Sequence, residues 1–206
     1  MPIRIKICGI TRLEDARLAV KFGADALGFI FAPKSPRFIH PLDSCEIIRQ
    51  LPPLVTKVGV FVDDSVEVIT DIIHKTGIDT IQLHGSETPQ FAAQFTCSVI
   101  KAFSIKPGFD LSLLEPYKVS GYLLDTWDAS SAGGTGKTFD WNIARLAAQK
   151  YSSVILAGGL GSTNIVEAIE IVSPYAVDVN SGVEVKPGIK NPLKMRDVIN
   201  AVKNFK

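Results

Sequence analysis

The sequence predicts an α/β protein, a single-domain (β/α)8 barrel of the TIM type spanning residues 1–206. Three observations predict it. Short apolar runs rich in β-branched residues alternate with helix-like stretches along the whole chain. There are eight such runs, one for about every 26 residues, near the lower size limit for a closed barrel. Most of the runs are apolar on both faces, as parallel strands covered on both sides must be. An open doubly wound sheet is the alternative, and the unit count favours closure.

Ile3–Ile7 is the first strand. Thr11-Arg12-Leu13-Glu14 then reads as a capping box, with Thr11 as N-cap, opening a helix over Asp15–Phe22 that Gly23 closes. Ala26–Phe31 is the second strand, and Cys45 falls in the helical stretch that follows. Lys57–Val62 is the third; Ser65 can cap Val66–Lys75, with Gly77 just past its end. Thr80–Leu83 is the fourth, and Ser86-Glu87-Thr88-Pro89 opens a helix to about Phe95. Val99–Phe103 and Gly121–Leu124 are the fifth and sixth, after which Asp140 can cap Trp141–Lys150. Ser153–Leu156 is the seventh, with Ser162 or Thr163 starting Asn164–Ile171. Ala176–Val179 is the eighth, and the last helix covers Asn191–Asn204, with Pro192 in its first turn.

Composition narrows the function classes. A hydrophobic fraction of 46% and a charged fraction of 21% are ordinary for a folded soluble domain. A net charge of +1 gives no electrostatic case for nucleic acid or an anionic membrane. No apolar run approaches the roughly 20 residues needed to span a bilayer, and the N-terminus has no signal-peptide pattern. Cys8, Cys45 and Cys97, odd in number and widely spaced, form neither a disulfide framework nor a zinc motif. A cytoplasmic protein without a metal or other cofactor is expected.

The active site of such a barrel lies at the C-terminal ends of its strands. The polar residues there are Cys8, His84, Asp125 and Asp178. Alternation puts Ile3, Ile5 and Ile7 toward the helices and Lys6 and Cys8 toward the interior. A cationic neighbour favours a thiolate, so Lys6 is expected to activate Cys8; Cys45 and Cys97 read as structural. Asp125 is a candidate general acid, provided burial or substrate charge keeps it protonated. His84 stands alone, and a lone histidine is more often structural than catalytic. Asp178 should face inward beside the first strand and pair with Lys6, a role either structural or functional. Arg37, after Pro36 in the second loop, has a planar fork suited to a substrate carboxylate.

Two glycine turns, Gly158-Gly159 and Ser181-Gly182, follow the seventh and eighth strands, where many barrels bind phosphate. Gly136-Lys137-Thr138 imitates the end of a nucleotide-binding P-loop, but Ser131 stands where its first glycine is required.

At these residues the chain resembles the phosphoribosylanthranilate isomerases of tryptophan biosynthesis. The resemblance runs from Lys6-Ile7-Cys8-Gly9-Ile10-Thr11 through Gly28–Arg37, Val58–Val62, Gln82-Leu83-His84-Gly85 and Leu124-Asp125. It continues through Gly133–Trp141, Leu156–Leu160, Asp178–Glu184 and Pro187–Lys190. It implies an Amadori rearrangement of a small phosphoribosyl substrate, with Asp125 as general acid and Cys8 as general base. It further implies Arg37 on the anthranilate carboxylate and the Gly158-Gly159 and Ser181-Gly182 turns on the phosphate. It implies a monomer, a dimer remaining open. One departure is Asn180 before Ser181-Gly182, where the family more often has serine.

Two rivals stand beside it. The histidine-pathway isomerase handles two phosphates and has an aspartate base on the first strand; here that strand ends in Cys8, and no second glycine pair follows the third or fourth. A non-catalytic phosphosugar-binding barrel would keep the glycine turns without needing both Cys8 and Asp125.

Overall fold

The computed structural model describes residues 2–106, 108–126 and 141–205. Eight parallel strands close into a barrel in sequence order: β1 (Arg4–Ile7), β2 (Ala26–Ile30), β3 (Thr56–Phe61), β4 (Thr80–Leu83), β5 (Ser98–Ile105), β6 (Gly121–Thr126), β7 (Val154–Ala157) and β8 (Ala176–Val179). The first and last strands complete the ring, with Lys6 opposite Asp178. Asp125 therefore lies within β6 rather than just past a shorter strand.

Around the barrel run α1 (Leu13–Phe22), α2 (Pro41–Ile48), α3 (Val66–Thr76), α4 (Pro89–Ala92), α5 (Asn142–Lys150), α6 (Ile165–Val172) and α7 (Pro192–Lys203). Alternation along the strands separates two apolar regions. Ile5, Ile7, Ile81, Leu83, Leu124 and Val177 point outward into the layer shared with the helices. Val58, Ile100, Leu123 and Ile155 fill the barrel, and Cys8, Ile30 and Val60 form a smaller cluster of their own.

Several ends follow the expected chemistry. Ser65 accepts from Val68 N, and Gly23 and Gly77 close α1 and α3 in the left-handed region, with φ of 106° and 75°. Pro192 opens α7 as expected, while Asn191, read as its first residue, is the cap and accepts from the amides of Leu193 and Lys194. Asn164, inside the expected helix, instead precedes α6 and accepts from Gly161 N.

Others differ for identifiable reasons. Thr11 does not cap α1: its hydroxyl donates to the Gly188 carbonyl, and the helix starts after Arg12 without a side-chain cap. Glu87 is drawn into a buried ion pair with Lys101, so Thr88 alone caps a single turn that ends before Phe95. Among the described residues no α-helix lies between β5 and β6; a 3-10 turn over Leu111–Leu114 stands there, and Pro116 cannot continue a helix. A short hairpin, β9 (Glu184–Lys186) with β10 (Ile189–Lys190), was not expected; Gly188 turns it at φ 80°. Asp140, the Gly133–Gly136 run and the Gly136-Lys137-Thr138 imitation lie outside the described residues.

Candidate active site

The site is built from strand ends at the C-terminal mouth. Cys8 follows β1, and its amide donates to the Val179 carbonyl at 2.9 Å, fixing it against β8. One layer below, Lys6 Nζ lies 2.8 Å from Asp178 Oδ2, with both side chains buried. Gly28, in the neighbouring strand β2, makes this possible. A Cβ there would meet Cys8 Sγ at 2.7 Å and Lys6 Cε at 3.1 Å.

Burial pushes Lys6 toward the neutral amine, but the Asp178 carboxylate and its hydrogen bond outweigh this, so the Lys6 pKa stands above the usual lysine value. For Cys8 the balance goes the other way. Burial pushes the thiol up and the Asp178 charge adds to this; Lys6 opposes them without prevailing. Lys6 thus pulls the thiol toward the thiolate, as a cationic neighbour should, but burial outweighs it and the thiol is held above its ordinary value.

Across the mouth, β4 and β6 bring a histidine to a carboxylate. His84 Nε2 is 3.2 Å from Asp125 Oδ2, and both side chains are about a third exposed. Behind the ring, Gln82 Nε2 lies 2.8 Å from His84 Nδ1. His84 is therefore not isolated. Gln82 Oε1 and Asp178 Oδ1 are buried with no hydrogen-bond partner among the described residues, and both residues border the same cavity.

The glycine turns sit side by side. Gly158 and Gly159 both have positive φ, at 92° and 60°, which favours glycine. Ser181 and Gly182 belong to a 3-10 turn over Ser181–Val183. A Cβ on Gly182 would lie 2.0 Å from the Leu160 carbonyl oxygen, so the two loops touch only because residue 182 is glycine.

One cavity is lined by Cys8, His84, Asp125, Asp178, Gly158, Gly159 and Ser181. It does not gather every expected residue. Gly182 packs beneath it against the neighbouring loop. Arg37 is not among the cavity's lining residues and is held by Glu184. Its Nε lies 2.9 and 3.1 Å from the two carboxylate oxygens, and its Nη2 is 2.7 Å from Oε2. Lys190 joins this group, donating to Glu184 Oε1 at 2.9 Å and Asn180 Oδ1 at 3.0 Å. Burial works against the Glu184 carboxylate, yet bonds from Arg37 and Lys190 hold its pKa below the usual range. Among the described residues, no group of three or more His, Cys, Asp or Glu stands ready to hold a metal. No described helix is long and apolar enough to cross a membrane.

Comparison with known proteins gives the arrangement its family. A family profile described as "N-(5'phosphoribosyl)anthranilate (PRA) isomerase" matches residues 5–201. The chain belongs to the phosphoribosylanthranilate isomerase family. A relative from Pelobacter propionicus, named N-(5'-phosphoribosyl)anthranilate isomerase, is 50% identical over 201 residues, covering 98% of this chain and 96% of its own. The crystal structure of phosphoribosyl anthranilate isomerase from Thermotoga maritima superposes with a TM-score of 0.88 at 40% identity, covering 98% of both chains. A phosphoribosyl anthranilate isomerase solved with reduced 1-(o-carboxyphenylamino)-1-deoxyribulose 5-phosphate matches at a TM-score of 0.85 and 37% identity, again over 98% of each chain.

Within this phosphoribosylanthranilate isomerase barrel, sequence reasoning passed over Gln82, Glu184 and Lys190 as site residues. Gln82 had a readable signal, since it stands two residues before His84 on one strand and so shares its inward face. Glu184 and Lys190 had none, because only the β9–β10 hairpin brings them together.

Proposed function

We propose that this chain converts N-(5'-phosphoribosyl)anthranilate to 1-(2-carboxyphenylamino)-1-deoxy-D-ribulose 5-phosphate, an Amadori rearrangement in tryptophan biosynthesis. The observation that carries the reading is the placement of Cys8 and Asp125 in one cavity, at the ends of strands β1 and β6, three apart around the ring.

Asp125 gives its proton to the furanose ring oxygen. The C1–O bond breaks, and the amine nitrogen lone pair forms a cationic Schiff base. Cys8, as thiolate, takes the proton from C2. The electron pair left behind forms the C1–C2 double bond and neutralises the nitrogen, giving an enolamine. Loss of the C2 hydroxyl proton and gain of one at C1 yield the ketone, with no net redox change. The Schiff-base cation joins Lys6 in favouring the thiolate, which offsets the burial that keeps resting Cys8 protonated. The Gly158-Gly159 and Ser181-Gly182 turns receive the phosphate. Arg37 offers its Nη1 edge to the anthranilate carboxylate, since Glu184 occupies the Nε–Nη2 edge.

The named groups all come from one barrel, which supports a single chain as the working unit. A thiol base must stay reduced to act and the three cysteines are free, which supports a reducing compartment such as the cytoplasm.

The test is turnover of phosphoribosylanthranilate generated in situ, followed by loss of its fluorescence. Wild type should turn over, and Cys8→Ala and Asp125→Asn should each lose about 10²–10⁴-fold in kcat, the usual worth of an acid or base. A folded wild type without turnover would reject the assignment and leave a phosphosugar-binding barrel.

A further inference from the structure

Gln82 takes no part in the scheme above, yet it is 1% exposed in the interior of the barrel. Its register neighbours on β3 and β5 are Val60 and Ile100, both buried and apolar. A buried amide among such neighbours is costly unless its hydrogen bonds are made. The bond it makes is to His84 Nδ1, at 2.8 Å.

We propose that Gln82 is a positioning residue whose amide donates to His84 Nδ1, fixes the ring as the Nε2–H tautomer and so aims a donor at Asp125. This rests on the reading of Asp125 as the acid. An amide nitrogen only donates, so Nδ1 must be the accepting nitrogen, and the proton of the neutral ring is then on Nε2. Nε2 lies 3.2 Å from Asp125 Oδ2. The donated bond strengthens as Asp125 gives up its proton and becomes a carboxylate. It therefore stabilises the transition state for ring opening more than the resting acid.

The reverse arrangement works against the reaction. With the amide oxygen turned toward the ring, Nδ1 would carry the proton and Nε2 would offer its lone pair to Asp125. The acid's proton would then be shared with imidazole instead of passing to the substrate's ring oxygen. In the orientation present, Gln82 Oε1 is the atom left without a partner among the described residues, beside the cavity. That leaves an acceptor for a hydroxyl donor brought by the sugar.

The experiment pairs nitrogen-15 NMR of the His84 ring with steady-state kinetics on wild type, Gln82→Met and Gln82→Glu. In wild type, Nδ1 should resonate as an unprotonated, pyridine-like nitrogen and Nε2 as a protonated one. Gln82→Met keeps the volume but removes the donor. It should lower kcat about tenfold, the worth of one hydrogen bond made in the transition state, with KM within about twofold. Gln82→Glu places an acceptor behind the ring, so Nδ1 should become protonated and kcat should fall further. A wild-type ring protonated at Nδ1, or wild-type kcat in both folded variants, would overturn the proposal. The wild-type spectrum needs neither turnover nor a stable variant. A chain inactive on phosphoribosylanthranilate would therefore fail the proposed function, while the tautomer is still read directly.

Discussion

Lys6 and Cys8 show how two residues on one face of a strand constrain each other. Lys6 is charged because Asp178 is 2.8 Å away. Replacing it with methionine would leave that carboxylate buried without its counter-charge. Lys6→Met should cost about 3–5 kcal/mol in urea denaturation, and Lys6→Met with Asp178→Asn should recover much of the loss. The same lysine opposes the burial that raises the Cys8 thiol. Alkylation of Cys8 by iodoacetamide, followed by mass spectrometry of its peptide, should accelerate with a midpoint above that of an ordinary thiol. The sign follows from burial favouring the neutral thiol, so the thiolate gains only as pH rises past the ordinary value. In Lys6→Met that midpoint should move higher still; a fall would contradict the role given to Lys6. The Lys6–Asp178 pair was legible from alternation along two strands and the rule that a barrel's ends meet. The net effect on Cys8 was not, because desolvation depends on what surrounds a thiol on all sides.

Elements contribute through their ends. Strand positions were legible because β-branched runs and their alternation are properties of consecutive residues. The capping of α3 was legible for the same reason, since Ser65 acts on an amide three residues away; at α7 only Pro192 in the first turn was read, and Asn191 is the cap rather than the first helical residue. Thr11 and Glu87 misled because each was claimed by a distant partner, Gly188 and Lys101. Lys101 Nζ donates to the Leu83 and Gly85 carbonyls as well as to Glu87, so β5 organises the loop after β4. The contact between the loops after β7 and β8 is equally nonlocal and equally testable. Gly182→Ala should force the Leu160 loop away. If that contact shapes the phosphate site, KM for the phosphorylated substrate should rise severalfold, and stability should fall by about 1–3 kcal/mol, as overpacking typically costs. Unchanged KM would dissociate the glycine pair from phosphate binding.

At the scale of the molecule, the ring holds because the last unit covers the first. Helix α7 lies against α1 and β1, and its Met195, Val198, Ile199 and Val202 are all buried. At about 1.5–3 kcal/mol each, those four side chains bury about 6–12 kcal/mol of hydrophobic free energy. That is comparable with the whole stability of a domain, roughly 5–15 kcal/mol. A chain ending at Lys190 should therefore lose its cooperative thermal transition in near-ultraviolet circular dichroism; a retained transition would show that the ring closes without its final helix.

Lys6 and Asp178 are separated by 172 residues in sequence. A ribosome adding about 5–20 residues each second needs roughly 10–30 seconds to travel from one to the other. Through that interval the lysine has been made and its counter-charge has not, so the interior of the barrel is no place for it. The nascent chain must keep its first strand within reach of water until the eighth emerges. The ion pair that joins the two ends of the ring also makes β1, the first strand synthesised, one of the last to find its final seat.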